Sequence, residues 1–204
     1  MDPIEYVKQI CNASRQVIEE SSEVLAPSIV QAAQQLSHCL LNEHKILTCG
    51  NGGSAAQAQY LAAKMLSRYE MERPGLPSIA LTADASTLTS IATDYQFADI
   101  FAKQIRALGQ ANDIVVVIST SGESDNIINA IDAAHDREIG VVLLNGADGG
   151  RAARILTEED IELRVPSWST SPDNAGSRGV AAGLGFVHDR DDVLYALRTP
   201  IPTS

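Results

Sequence analysis

The chain has 204 residues, of which 45% are hydrophobic but only 4% aromatic. A chain of this length can bury one core, so we predict a single domain over residues 1–204, built mainly from aliphatic side chains. The formal net charge of −11 argues against a nucleic-acid-binding protein, because phosphate backbones are held by clustered Lys and Arg. Binding to anionic membranes is disfavoured for the same reason.

The cysteines and the N-terminus both indicate the cytoplasm. Cys11, Cys39 and Cys49 form no C-x-x-C pair, which is typical of a reducing compartment. Cys49 ends an apolar run, so we interpret it as a buried small residue rather than a nucleophile. The first residues show neither a basic start nor a long apolar run, so we expect no signal peptide. No stretch reaches the roughly 20 apolar residues of a membrane span.

Two amphipathic helices are predicted at the N-terminus, over residues 4–25 and from Pro27 to about Asn42. Pro27 fits the first turn of the second helix, where its missing N–H costs nothing. The apolar stripe of that helix is narrow, as in a helical seam. It consists of Ile29, Ala33, Leu36 and Leu40. We therefore predict a helical hairpin over residues 1–43, packed either in a bundle between subunits or on the chain's own sheet.

Short apolar runs alternate with helical stretches through residues 44–166. The predicted strands are Lys45–Cys49, Pro77–Leu81, Ile114–Ile118, Gly140–Leu144 and Ile161–Val165. The predicted helices are Ser54–Arg68, Ser86–Ala92, Phe97–Leu108, Ser124–His135 and Gly149–Ile155. Strands that are apolar throughout and separated by helices indicate a parallel sheet covered on both faces. The predicted fold class is therefore α/β, a doubly wound parallel sheet flanked by helices.

A first glycine-rich loop, Gly-Asn-Gly-Gly-Ser at residues 50–54, lies between a predicted strand and a helix. Its glycines let the backbone approach an anion, the helix N-terminus offers N–H groups, and Asn51 and Ser54 add side-chain hydrogen bonds. The loop alone is ambiguous, because residues 50–55 also fit the G-x-G-x-x-A dinucleotide fingerprint, with Asp84 as the ribose ligand. A Walker phosphate loop is excluded, because no Gly-Lys-Ser/Thr follows.

A second loop, Ser-Thr-Ser-Gly-Glu-Ser at residues 119–124, follows the clearest strand and again opens a helix. Its hydroxyls belong to Ser119, Thr120, Ser121 and Ser124. Four hydroxyls at a helix N-terminus form a clamp for one phosphate, whereas an N-cap role explains only Ser124. A dinucleotide site needs no such second clamp. We therefore favour a phosphorylated small molecule held between the two loops.

These loops, with Asp84, Thr93-Asp94 and Asp148-Gly149-Gly150, follow one another as in phosphoheptose isomerases of the sugar isomerase (SIS) family, which the chain resembles as far as about Pro166. The DnaA initiator-associating protein, a non-catalytic relative, shares the pattern. The resemblance implies the SIS fold and a homotetramer with a central helical bundle and ligand sites at subunit boundaries. It also implies roles for two groups of residues. Ser119, Thr120, Ser121 and Ser124 would hold phosphate, and Asn51, Gly52, Gly53 and Asp94 would line the sugar.

Two residues depart from the isomerase pattern. Isomerisation needs a general base and an acid or metal, and the isomerases place a His and a Glu beside zinc on the helix after the first loop. Here those places hold Tyr60 and Lys64. Tyr60 is a poor substitute for an imidazole ligand, and Lys64 would repel a cation. We favour a lost catalytic face over Lys64 acting as a base in a new mechanism, and we expect no cofactor and no zinc site.

The tail, residues 167–204, is atypical. The isomerases end in a long helix with a Gln-Glu-x-x-His segment, which is absent here. Each glycine in a helix interior costs about 1 kcal/mol relative to Ala, so a helix in this tail is weak. One explanation is a frameshift after Thr170. His188, the tail's one histidine, is interpreted as solvated rather than as a ligand.

These observations favour a non-catalytic, tetrameric sugar-phosphate-binding protein that resembles the regulator of DnaA and of replication initiation. The expected partners are a sugar phosphate, further copies of the chain and DnaA. The alternative is D-sedoheptulose 7-phosphate isomerase in heptose synthesis for lipopolysaccharide, with Lys64, Glu123 or another carboxylate in the missing roles. A third hypothesis is a sugar-phosphate sensor with neither activity.

Overall fold

The computed structural model describes residues 2–68, 72–146 and 149–165, together with the backbone of two short strands, Phe186–His188 and Tyr195–Leu197. The chain divides into two compact units, one of Met1–Glu19 with Ser167–Ser204 and one of Glu20–Pro166. A single domain over residues 1–204 stays a prediction. Among the described residues, no helix is both long and apolar enough to cross a membrane.

The N-terminal segment is one helix, α1 (Pro3–Leu41), with Pro27 inside it. The predicted helical hairpin over residues 1–43 is therefore wrong. Buried residues recur seven apart at Leu25, Ala32 and Cys39, so one apolar face continues past the proline. Packing along this face offsets the hydrogen bond that Pro27 removes and the crowding by its ring, which together cost about 3 kcal/mol in a helix interior.

The remaining elements are β1 (Ile46–Gly50), α2 (Gly53–Leu66), β2 (Ser78–Ala80), α3 (Ala85–Asp94), a 3-10 helix (Phe97–Asp99), α4 (Ala102–Leu108), β3 (Ile114–Ser119), α5 (Asp125–His135), β4 (Gly140–Asn145), α6 (Gly150–Arg154), β5 (Ile161–Arg164), β6 (Phe186–His188) and β7 (Tyr195–Leu197). Elements β1 to β5 follow the predicted alternation, except that the predicted helix Phe97–Leu108 is divided into the 3-10 helix and α4. Strands β6 and β7 were not predicted. Strands β1 to β5 form a parallel sheet in the order β2-β1-β3-β4-β5. The predicted α/β fold class is confirmed. Strands β6 and β7 pair antiparallel.

Each face of the sheet carries its own core, because side chains alternate along a strand. One face buries Leu47, Val115 and Val117, which pack with residues of α4 and α5. The opposite face buries Ile46 and Val116, which pack with Ala32 and Cys39 of α1 and with partly buried residues of α2. The sheet is thus covered on both sides, and this half of α1 packs on the chain's own sheet.

Asp113 ties the beginnings of β1 and β3 together. Its side chain is fully buried and accepts hydrogen bonds from the Lys45 ammonium at 2.6 Å, from the Lys45 backbone N–H at 2.9 Å and from the Gln110 N–H at 2.8 Å. A buried carboxylate with a paired cation and further donors is well compensated, and removal of one partner is strongly destabilising. Asp113 therefore helps to set the register of the two central strands.

Two of the cysteines are buried. Burial raises the pKa of Cys49 to about 12, and burial together with the nearby Asp113 carboxylate raises the pKa of Cys39. Because the thiolate is the reactive form, neither thiol is activated for nucleophilic attack. Cys11 is exposed.

Pro27→Ala should raise the free energy of unfolding by about 1–3 kcal/mol, because alanine restores the helix hydrogen bond. The gain is smaller than the full cost of proline in a helix, since alanine also gives the unfolded chain more conformational freedom. Urea denaturation measures this difference. Ser28→Ala, the neighbouring control, should change stability by no more than about 0.5 kcal/mol. A loss of stability in Pro27→Ala would instead indicate a helix boundary at this proline.

Candidate functional site

The two Ser/Gly loops lie side by side at one edge of the sheet. Strands β1 and β3 are neighbours, and the chain runs outward from them in opposite directions, to β2 on one side and to β4 and β5 on the other. This reversal is the topological switch point, where α/β sheets bind ligands beyond the carboxyl ends of their strands. Residues 50–54 follow β1 and residues 119–124 follow β3, with Gly50 paired to Ile118. The sheet therefore brings both predicted loops to the switch point.

Gly50 allows the first loop to turn this close to β3. A Cβ on Gly50 would lie 2.8 Å from the Ile118 carbonyl oxygen and 2.9 Å from the Ser54 Cβ. Gly52 and Gly53 differ, since a Cβ on either meets no atom within 4 Å. Gly52 is also the N-cap of α2, without a side-chain cap. The backbone at the start of α2 is therefore open to a ligand.

The second loop holds its own shape through its hydroxyls. The buried Ser119 Oγ accepts a hydrogen bond from the Gly122 N–H at 3.0 Å, and Ser121 Oγ accepts one from the Glu123 N–H at 3.3 Å. Ser124 is the N-cap residue of α5, but its side chain makes no cap hydrogen bond. Thr120 is exposed. The capping role does not account for the Ser124 hydroxyl, which remains a candidate ligand group together with Thr120.

A pair of amides joins the two loops. Asn51 Nδ2 donates to Asn126 Oδ1 at 2.8 Å, and Asn126 Nδ2 donates to Asn51 Oδ1 at the same distance. Asn126 is 2% exposed and lies in the first turn of α5. Asn126 was not among the predicted site residues. The sequence offered one signal for it: a polar residue stands directly before the apolar pair Ile127 and Ile128, near the start of a helix predicted to pack on the sheet.

The loop that follows β4 packs against the backbone of the second loop. The Asn145 side chain donates to the Gly149 carbonyl oxygen and accepts from the Gly146 N–H. Gly150 packs so closely on the backbone of Ser121 and Gly122 that a side chain there would overlap both. This packing gives a physical role to the glycines of the Asp-Gly-Gly motif, whose Asp148 lies outside the described residues.

Arg151 contacts both acidic side chains around the second loop. Its guanidinium donates to Asp125 Oδ1 at 2.7 Å, and its backbone N–H donates to Glu123 Oε1 at 3.0 Å. The hydrogen bond to Asp125 raises the pKa of Arg151. One cation thus offsets part of the negative charge beside the candidate anion site.

Asp84 has a structural role. It is the N-cap of α3 and accepts hydrogen bonds from the Ser86 N–H at 2.9 Å and from the Thr87 hydroxyl at 2.5 Å. The hydrogen bonds from Thr87 hold the pKa of Asp84 below its ordinary value. A ribose ligand is not needed to explain this carboxylate. Asp94, the last residue of α3, is exposed and accepts from Ser90 at 3.5 Å, so its contact with a sugar stays a prediction.

Comparisons with known proteins agree with this architecture. The model of the SIS domain family matches residues 5–146. The phosphoheptose isomerase of Methylococcus capsulatus is 52% identical over 171 residues, which cover 84% of this chain and 88% of that protein. The chain belongs to the phosphoheptose isomerase branch of the SIS-domain family. The resemblance in the sequence analysis is thus confirmed.

Solved structures of this branch have the same fold. The phosphoheptose isomerase from Neisseria gonorrhoeae matches with a TM-score of 0.76 and 47% identity, over 81% of this chain and 87% of that one. The phosphoheptose isomerase from Francisella tularensis matches with a TM-score of 0.80 and 45% identity, over 83% of this chain and 89% of that one. Both support the SIS fold.

Helix α2, which follows the first loop, carries Tyr60 and Lys64, the two residues at which the sequence departs from the expected isomerase pattern. Tyr60 is 58% exposed, and the Lys64 ammonium lies 5.2 Å from the centre of its ring, a cation–π geometry. A phenol and an ammonium do not make a zinc-binding set. In residues 2–68, 72–146 and 149–165 no three His, Cys, Asp or Glu side chains are grouped to hold a metal. The described residues therefore do not fit zinc.

The predicted loss of the family's C-terminal motif falls on residues 167–204, whose side chains lie outside the described residues. The backbone there shows the β6–β7 pair, with His188 at the end of β6. The interpretation of His188 as a solvated residue stays a prediction, as does the frameshift after Thr170.

Alanine at Gly50 and alanine at Gly53, both in the first loop, should have different effects on stability. Gly50→Ala should lower the free energy of unfolding by about 1–3 kcal/mol, because its methyl group overlaps the β3 backbone. Gly53→Ala, at the start of α2, should leave stability unchanged or raise it by up to about 1 kcal/mol. Thermal and urea unfolding of both variants measure the difference. Equal losses in the two would contradict the close approach of β1 to β3.

Proposed function

We propose that the chain binds a phosphorylated sugar between the two loops at the switch point, with the phosphate on residues 119–124 and the sugar against residues 50–54. The observation that carries this proposal is the pair of joined loops, each at the N-terminus of a helix. The proposed phosphate ligands are Ser119, Thr120, Ser121 and Ser124. The proposed sugar ligands are Asn51, Gly52, Gly53, Ser54 and Asp94.

The acidity of the chain is compatible with an anion site of this kind. Backbone N–H groups at a helix N-terminus and nearby hydroxyls bind phosphate without a side-chain cation. Arg151, which pairs with Asp125, offsets part of the negative charge beside the second loop. The local donors, rather than the net charge of −11, then decide whether a phosphate is held.

Isomerisation of D-sedoheptulose 7-phosphate is the activity that the comparisons favour, because the relatives at 45–52% identity carry the name phosphoheptose isomerase. The reaction moves one proton between two neighbouring carbons of the sugar and another between their oxygens. On this chain the proposed base is Lys64, which lies on α2, the helix that begins at the first loop. We propose no zinc site.

A second candidate function rests on Tyr60 and Lys64 themselves. A helix that has lost its acid–base pair suits a regulator that binds a sugar phosphate without turnover and acts through protein contacts, with DnaA as the candidate partner. Helix α1 offers a surface for such contacts and for a homotetramer. Its most exposed apolar side chains include Ile4, Val7, Ile18 and Val24.

Loss of hydroxyls from the second loop should weaken sugar-phosphate binding. Thr120→Val and Ser124→Ala should each raise the Kd for sedoheptulose 7-phosphate about 10-fold or more, the effect of losing one hydrogen bond to a charged group. Calorimetry and ligand-induced thermal stabilisation measure the affinity. Ser67→Ala, an exposed serine at the end of α2, serves as the matched control and should bind normally. Normal binding by both loop variants would contradict the proposed clamp.

Turnover separates the two candidate functions. The purified protein is incubated with sedoheptulose 7-phosphate, with and without added zinc, and the aldose product is measured. If the chain is an isomerase, product forms without a zinc requirement and Lys64→Met abolishes turnover while the sugar phosphate still binds. If no product forms in protein that binds the sugar phosphate, the regulator is favoured, and a DnaA-binding assay follows.

A further inference from the structure

We infer that Asn126 is a positioning residue, which fixes the Asn51 amide and thereby couples the sugar loop to the phosphate loop. The inference rests on the proposed function of the two loops. Its basis is the reciprocal amide pair, two hydrogen bonds of 2.8 Å between residues 75 positions apart in the chain.

The hydrogen-bonding capacity of the two amides explains what the pair achieves. A side-chain amide has two N–H donors and an oxygen with two lone pairs. The reciprocal pair uses one donor and one lone pair of each residue. Asn51 is half-buried and keeps one N–H and one lone pair, which together match a sugar hydroxyl that donates and accepts at once. The pair therefore orients the Asn51 amide and still leaves it able to hydrogen-bond a ligand.

The surroundings of Asn126 make it the rigid partner. It lies in the first turn of α5, the helix that the second loop opens, and the next residue, Ile127, is fully buried in the core. Asn51, by contrast, precedes Gly52 and Gly53, around which a side chain would meet nothing. The amide pair therefore holds the first loop in place at Asn51, because the glycines that follow make no side-chain contacts.

A positioning role predicts different effects on two ligands. Inorganic phosphate needs only the second loop, whereas a sugar phosphate needs both loops in register. If the pair is broken, the sugar phosphate should lose affinity while inorganic phosphate keeps it. A residue that merely supports the fold would change both affinities together.

The test replaces Asn126 with leucine, a residue of similar shape without the amide. Asn126→Leu should raise the Kd for sedoheptulose 7-phosphate about 10-fold and change the Kd for inorganic phosphate less than about 3-fold. Asn129→Leu is the matched control. Asn129 lies on the same helix, but its amide donates to the Ala98 carbonyl and to Asp99. Both affinities should stay normal in this control.

A double variant tests whether Asn126 acts through Asn51. On an Asn51→Ala background, Asn126→Leu should cause no further loss of sugar-phosphate affinity, because the amide that it positions is gone. If the leucine variant does not fold, the same two Kd values, for sedoheptulose 7-phosphate and for inorganic phosphate, are measured in Asn126→Ser, a smaller change.

Four outcomes would overturn the inference. Equal losses for sugar phosphate and inorganic phosphate would make Asn126 a general support of the fold. Additive losses in the double variant would show that it does not act through Asn51. A wild-type protein that binds neither ligand would reject the proposed function, and the positioning role with it, whereas normal wild-type binding with an unchanged Asn126→Leu variant would reject the positioning role alone.

Discussion

The parallel pairing of β1 with β3 is the constraint on which the rest of the structure depends, because it brings the loops at residues 50–54 and 119–124 to one edge of the sheet. The pair is fastened at both ends. At its start, the buried Asp113 binds Lys45, and at its end Asn51 binds Asn126. Between them Gly50 lets the backbones approach without a side chain. The register of the strands and the position of both loops, and with them the proposed ligand site, are therefore consequences of one strand pair.

The same arrangement explains how an acidic chain can present an anion site. Helix N-termini at the ends of β1 and β3 supply partial positive charge from the backbone, which no substitution of side chains removes. Arg151 acts on the acidic side chains around the second loop rather than as a dedicated phosphate ligand. The site thus depends on local backbone geometry, while the protein surface stays negative.

The α/β fold could be predicted from the sequence because buried parallel strands are continuous apolar runs, and the structure places each central strand within one or two residues of its predicted bounds. The two loops could be predicted for the same reason, since they follow strands. Pro27 misled the prediction, because a local rule for proline outweighed the seven-residue recurrence of Leu25, Ala32 and Cys39. Asn126 could not be paired with Asn51, because their contact depends on the strand order rather than on any local pattern.

The fold and the chemistry of this branch are set by different residues. The sheet sets the position of both loops, because each loop directly follows one of the paired strands β1 and β3. The face of α2 that holds Tyr60 and Lys64 is largely exposed, so its side chains can change with little effect on folding. A TM-score of 0.80 to an isomerase therefore supports the position of the two loops, but it says little about which acid–base side chains are present. The fold therefore bears more directly on the proposed binding of a sugar phosphate than on the proposed turnover.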